Sequence, residues 1–177
     1  MTNAELAILS LVAEAPRHGY ELEQLIDSRG MRDWTEIGFS SIYYLLNKLE
    51  KEGLVASQLQ SAEGKGPERK VFAATAQGRA AHQVASLAAL SQPQKPPMPF
   101  LLGLASFPML PPDQVLASVI AYRDALVQNL IEVEAKAQAP GLIPPFVTAM
   151  FNYSTHRIQA EIAWFNQFIR DLEAGNV

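Results

Sequence analysis

Two short stretches of the chain concentrate side chains that donate hydrogen bonds to anions and to flat heterocyclic edges. Within "FSSIYYLLNKLEKEGLV" (39–55) these are Ser40, Ser41, Tyr43, Tyr44, Asn47 and Lys48, and around "EGKGPERKVF" (63–72) they are Lys65, Arg69 and Lys70. Hydroxyls, phenols, an amide and ammonium groups read base edges and hold phosphates. The groupings that would carry bond-breaking chemistry are missing. His18, His82 and His156 are far apart, and none has the i, i+4 histidine partner of a helical metal site. There is no cysteine, hence no disulfide, thiol catalysis or thiolate metal site. No phosphate loop or nucleophile elbow is present. The sequence therefore predicts a non-enzyme without metal or cofactor.

These donors need elements to position them. In the 39–55 stretch, Ile42, Leu45, Leu46 and Leu49 recur at i, i+3, i+4 and i+7, which predicts a helix with one buried stripe. Ser40, Tyr44, Asn47, Lys48 and Lys51 fall on the opposite face, with Tyr43 at its edge, and Gly53 ends the helix. Two helices come first. Thr2-Asn3-Ala4-Glu5 is a capping box ahead of Leu6, Leu9, Val12 and Ala13, and Ala15-Pro16 ends that helix. The second starts near His18-Gly19, carries Leu22, Leu25 and Ile26, and stops at Gly30. After the donor helix, Leu54–Gln60 and Lys70–Ala74 predict a hairpin around the Gly- and charge-rich "SAEGKGPE". Thr75 caps a fourth helix with Ala80, Ala81, Val84, Leu87 and Ala88 aligned.

Helix, helix, helix, hairpin, helix is the order of a winged helix-turn-helix. The expected fold class is mainly α with a small β-hairpin wing, an N-terminal winged helix-turn-helix followed by a C-terminal helical dimerisation domain. A major groove about 12 Å wide admits one helix, and the hairpin tip with Lys65, Arg69 and Lys70 would meet backbone phosphates. A plain solvated surface is the competing explanation. Against it stand the hydroxyls and phenols where Glu and Lys usually dominate, and basic residues that recur on the hairpin. The chain of 177 residues is acidic overall, with a net charge of −4. Residues 48–79 nevertheless carry six basic against four acidic side chains, so the positive charge is local rather than a basic coat.

The composition, 49% apolar, supports a sizeable core. No apolar run approaches the roughly 20 residues of a membrane span, and the chain opens directly into an amphipathic pattern rather than a leader, so a cytoplasmic location away from membranes is expected. "SQPQKPPMPF" holds four prolines and marks a boundary. The expected domains are 1–90, a Pro-rich connector with a short helix at 91–111, and 112–177. In the last of these, two long helices, Pro112–Ala137 and Pro145–Glu173, flank "APGLIPP". Each carries two apolar stripes, which calls for contacts on two sides. A second copy of the chain is the expected partner, with Leu126, Leu130, Ile158, Ile162, Phe165 and Ile169 in the interface; packing against the chain's own N-terminal domain is the alternative.

"HGYEL" (18–22), "SIYYLLNKLEKEGLV" (41–55) and "GPERKVFAATAQGR" (66–79) together resemble the PadR family of bacterial transcriptional regulators, in the family's order and spacing. Two positions depart from the family pattern: Ser40 stands where a Gly is usual, and Phe72 where the wing has a Tyr. "HRIQAEIAWFNQFIRDLE" (156–173) resembles the virulence-activator-type C-terminal domain of longer members. The resemblance implies a homodimer that binds double-stranded DNA at a palindromic operator, more as repressor than activator, and releases it on binding a small effector. His18, Tyr20 and Trp34, with C-terminal aromatics, are the candidate walls of a pocket for a small aromatic effector; ordinary core packing is their other use. A winged helix that docks protein instead of DNA is the rival expectation, and salt dependence separates the two.

Overall fold

In the first helix, α1 (Asn3–Glu14), the Thr2 hydroxyl accepts the Glu5 N–H at 3.2 Å and the Glu5 carboxylate accepts the Thr2 N–H at 2.8 Å. The capping box read in the sequence is formed. The computed structural model describes residues 1–35, 37–38, 41–60, 69–93, 98–138 and 144–177, the side chain of Asp33 excepted. Ser40, expected on the donor face of the helix, and Lys65, expected at the hairpin tip, lie outside the described residues. The chain forms two compact units, residues 1–95 and 96–177.

In the first unit α1 is followed by a two-residue strand β1 (Arg17–His18), α2 (Gly19–Ser28), a short 3-10 turn at Met31–Asp33, α3 (Ile42–Lys51), β2 (Val55–Gln60), β3 (Arg69–Ala74) and α4 (Ala76–Ser91). Leu9 and Val12 from α1, Leu22 and Ile26 from α2, and Ile42, Leu45, Leu46 and Leu49 from α3 are buried together with Val55 and Phe72 of the strands. These are the stripes of the sequence pattern, brought face to face.

The sheet has three strands in the order β1-β3-β2, all antiparallel, where the sequence predicted a two-stranded hairpin. Arg17 pairs with Phe72 and His18 with Val71. A two-residue strand has no periodicity to read, and Pro16 next to it points to a loop. β2 and β3 pair from Val55↔Ala74 to Gln60↔Arg69. Thr75 caps α4 by accepting the Gly78 N–H at 2.9 Å. There the chain passes so close to β2 that a Cβ on Gly78 would lie 1.9 Å from the Leu54 carbonyl oxygen.

The second unit contains α5 (Pro99–Ala105), a 3-10 turn at Phe107–Met109, α6 (Pro112–Ala137) and α7 (Pro145–Glu173). Val119, Phe165, Phe168 and Ile169 form its core, and Phe100 and Leu104 of α5 pack against it. An aromatic cluster holds the centre. Phe165 stacks on Tyr122 with ring centres 4.6 Å apart and meets Phe100 edge-on at 4.8 Å, while Trp164 stacks on Phe168 at 5.0 Å. Among the described residues, no helix is long and apolar enough to cross a membrane.

Candidate nucleic-acid interface

Burial of its apolar stripe orients α3. Ile42, Leu45, Leu46 and Leu49 are inside, so Tyr43, Tyr44 and Asn47 are turned out, the two phenols being 59% and 68% exposed. Ser41 occupies the N-cap position, and its hydroxyl donates to the Gly38 carbonyl at 2.7 Å instead of capping the helix. At the far end Gly53, with φ of 73°, takes the left-handed conformation that lets the chain leave α3 for β2.

Lys48 projects from the same helix but is not simply part of the solvated face. Its ammonium donates to the carboxylate of Glu5, the one buried charged residue among those described, and lies 4.0 Å from Glu52. The hydrogen bond from Lys48, and then that from the Thr2 N–H, hold Glu5 below the ordinary glutamate range; the Lys48 ammonium is raised by the same contact. Lys48 therefore ties α3 to the cap of α1.

A second ion pair ties α3 to the wing. Lys70 of β3 donates to Glu50 Oε2 at 2.8 Å, and the Ser57 hydroxyl of β2 donates to Oε1 of the same carboxylate. Both contacts, Lys70 first, lower Glu50. The wing strands are thus fixed at a set distance from the donor helix.

Between these elements lies a cleft of about 360 Å³ lined by His18, Gly19, Tyr20, Tyr43, Arg69 and Lys70. It brings together three groups that the sequence kept apart: Tyr43 from the donor helix, Arg69 and Lys70 from the wing, and His18 and Tyr20 from the expected effector pocket. Trp34, the third residue of that pocket, is 55% exposed and does not line the cleft. Gly19 forms the floor. A Cβ there would lie 2.5 Å from the Tyr43 ring, so the phenol rests directly on the backbone at the start of α2.

The residues expected at a C-terminal interface divide. Ile158, Phe165 and Ile169 are buried within the single chain, and Leu126, Leu130 and Ile162 are half-buried. Packing within the unit thus accounts for part of the double stripe. Tyr122, Ile131, Phe146, Met150, Tyr153 and Trp164 remain exposed. Sequence inspection missed Glu5 and Glu50 as anchors of the two lysines. An acidic residue at N3 of a capping box signals the cap alone, and no spacing rule links it to a helix 43 residues later.

Among the described residues, no group of acidic or histidine side chains could hold a metal ion. Three helices, a three-stranded wing sheet and a donor-bearing third helix define a winged helix-turn-helix. The sequence model of the PadR-like family of transcriptional regulators matches residues 8–84, within the N-terminal unit. No curated protein matches the chain in sequence. Solved structures extend the likeness in fold through both units. Bacillus subtilis PadR in complex with operator DNA is 18% identical with a TM-score of 0.75, over 95% of this chain and 98% of that one. The same protein in complex with p-coumaric acid is 18% identical with a TM-score of 0.72, over 96% and 98%. A PadR-like transcriptional regulator from Bacillus cereus is 15% identical with a TM-score of 0.67, over 97% of each chain.

Proposed function

We propose that the chain is a DNA-binding transcriptional regulator, a repressor that occupies a palindromic operator as a homodimer and leaves it when a small aromatic effector binds. The observation that carries this reading is the convergence of α3 and the wing on one cleft: exposed Tyr43 of α3 lines it together with Arg69 and Lys70 of β3, while Tyr44 and Asn47 are exposed on the same helix. Phenols and an amide suit base edges in a major groove, and the two cations suit the flanking phosphates. Ser41, at the start of α3, is assigned to the same contact surface; Ser40 and Lys65 are proposed contacts from the sequence alone. The operator and effector complexes of Bacillus subtilis PadR support the choice of both ligands.

Homodimerisation is supported by the apolar side chains still exposed on α6 and α7, with Trp164, Tyr153 and Ile131 among them. Two half-sites about one helical turn apart would then be read by two copies of α3. The test is binding to DNA from upstream of the chain's own gene, followed by titration of phenolic acids into the complex. Saturable binding that such an acid reverses supports the whole reading. Binding that no aromatic acid reverses removes the effector and leaves the regulator.

A further inference from the structure

The cleft between β1, α3 and β3 contains a hydrogen-bonding mismatch that identifies its ligand. His18 Nδ1 accepts the Glu21 N–H at 3.2 Å to cap α2. A ring nitrogen that accepts carries a lone pair, so the imidazole proton is on Nε2. Nε2 in turn lies 3.4 Å from Nη1 of Arg69. A guanidinium nitrogen only donates. Two N–H donors therefore face each other and cannot bond to one another. The nearest carboxylate does not resolve the mismatch: Glu21 Oε2 is 3.6 Å from Nε2 and already accepts the His18 backbone N–H at 3.0 Å. Lys70 and the phenols of Tyr20 and Tyr43 complete the lining, and the Tyr43 hydroxyl lies 2.7 Å from where a Gly19 Cβ would stand. Every side chain at the cleft can donate a hydrogen bond, and two of them are cations.

We propose that this cleft is an oxyanion seat in which a backbone phosphate of bound DNA accepts from His18 Nε2–H and the Arg69 guanidinium together. An acceptor placed between the two donors satisfies both, and a phosphate oxygen does so with charge-assisted bonds. His18 and Tyr20 then belong to the DNA face and not to an effector pocket. The inference rests on the DNA-binding reading above, but the oxyanion chemistry can be tested without DNA.

The first test is fluorescence anisotropy with a random-sequence duplex, since a phosphate contact is independent of sequence. His18→Asn keeps a side-chain oxygen to cap α2 but cannot reach the cleft with an Nε2–H. It should melt like the wild type and bind roughly threefold to tenfold more weakly, the range of one ordinary net hydrogen bond in a wet interface. Its salt slope should be unchanged, because a neutral donor displaces no counterion. Arg69→Ala should lower the slope by about one unit, and Arg69→Lys should restore it. The double variant should lose less than the product of the two single losses, because both donors serve one phosphate. The second test follows the three histidine ring signals by NMR as inorganic phosphate replaces chloride at constant ionic strength. His18 should respond, Arg69→Ala should abolish the response, and His82 and His156 should stay still. Wild-type binding that His18→Asn and Arg69→Ala leave intact overturns the assignment to DNA phosphate, and a phosphate response of His18 in that case gives the seat to a free oxyanion. If the wild type binds no DNA, the regulator reading fails by itself. The phosphate titration then decides the seat alone, a silent His18 ending it.

Discussion

At the scale of single residues, exposure separates side chains that can be removed freely from those that cannot. Tyr44 and Asn47 are exposed on α3 and away from its buried stripe. Tyr44→Ala with Asn47→Ala should leave the melting temperature nearly unchanged and weaken operator binding, each base contact being worth about 1–3 kcal/mol. An anisotropy titration beside a thermal melt checks both halves. Lys48 looks equivalent in the sequence, since it shares their face, yet it neutralises buried Glu5. Lys48→Ala should therefore lower the melting temperature as well as any DNA affinity. The pair also sets a pH dependence. Glu5 is held below the ordinary glutamate range, first by Lys48, so it binds fewer protons folded than unfolded. Its contribution to stability is complete above the unfolded value of about 4.3 and disappears as pH falls through the lower folded value. Glu5→Gln removes that contribution, so its melting temperature should fall less steeply than the wild type's between about pH 5 and pH 3. Residual slope will remain from Glu14 and Glu50, which are lowered by Arg29 and Lys70. Parallel curves would show that Glu5 and Lys48 are not coupled to folding. Residue types and helical spacing made the donor face legible, but not which lysines on it are engaged, because those partners are distant in sequence.

At the scale of elements, the capping box, the three apolar stripes, the Gly53 stop and the Thr75 cap were readable because each is a local pattern with a local cause. β1 was not, since its two residues are a strand only by pairing with β3. The cleft was illegible for the same reason: β1 pairing is what carries His18 to the wing beside Arg69. The β3–α4 junction gives a direct prediction. Gly78 sits where a Cβ would meet the Leu54 carbonyl oxygen, and backbone cannot turn aside as a side chain can. Gly78→Ala should destabilise the first unit by at least the roughly 1–3 kcal/mol typical of overpacking, measured by urea unfolding. Gln77→Ala next to it, on the exposed side of the helix, should have almost no effect. The wing gives another. Lys70 donates to Glu50 in the free chain, and in the proposed DNA complex it would exchange that carboxylate for a phosphate. Lys70→Ala should weaken specific and random duplexes alike and lower the salt slope by about one unit; a loss confined to the specific site would indicate base readout instead.

At the scale of the whole molecule, the hydrophobic core of the first unit lies entirely within residues 1–95. A chain ending at residue 95 should therefore fold alone, sediment as a monomer and bind DNA weakly, while the full chain sediments as a dimer through the second unit. A tight dimer of the shortened chain would move the interface to the winged helix. The two long C-terminal helices were legible from their length and periodicity, but the sequence placed Phe165 and Ile169 at a partner's surface, whereas α5 and α6 bury both within one chain. Apolarity on two faces of a helix shows that both are covered without showing by what. The most direct test of the central claim is the affinity of the full chain for the DNA upstream of its own gene, measured by anisotropy across a salt series with and without the Tyr44→Ala and Asn47→Ala changes. A DNA-reading winged helix predicts saturable binding that falls steeply as salt rises, exceeds binding to a random duplex, and loses that excess in the double variant while the melt is unchanged. Equal binding to both duplexes, or no binding at low salt, would contradict it.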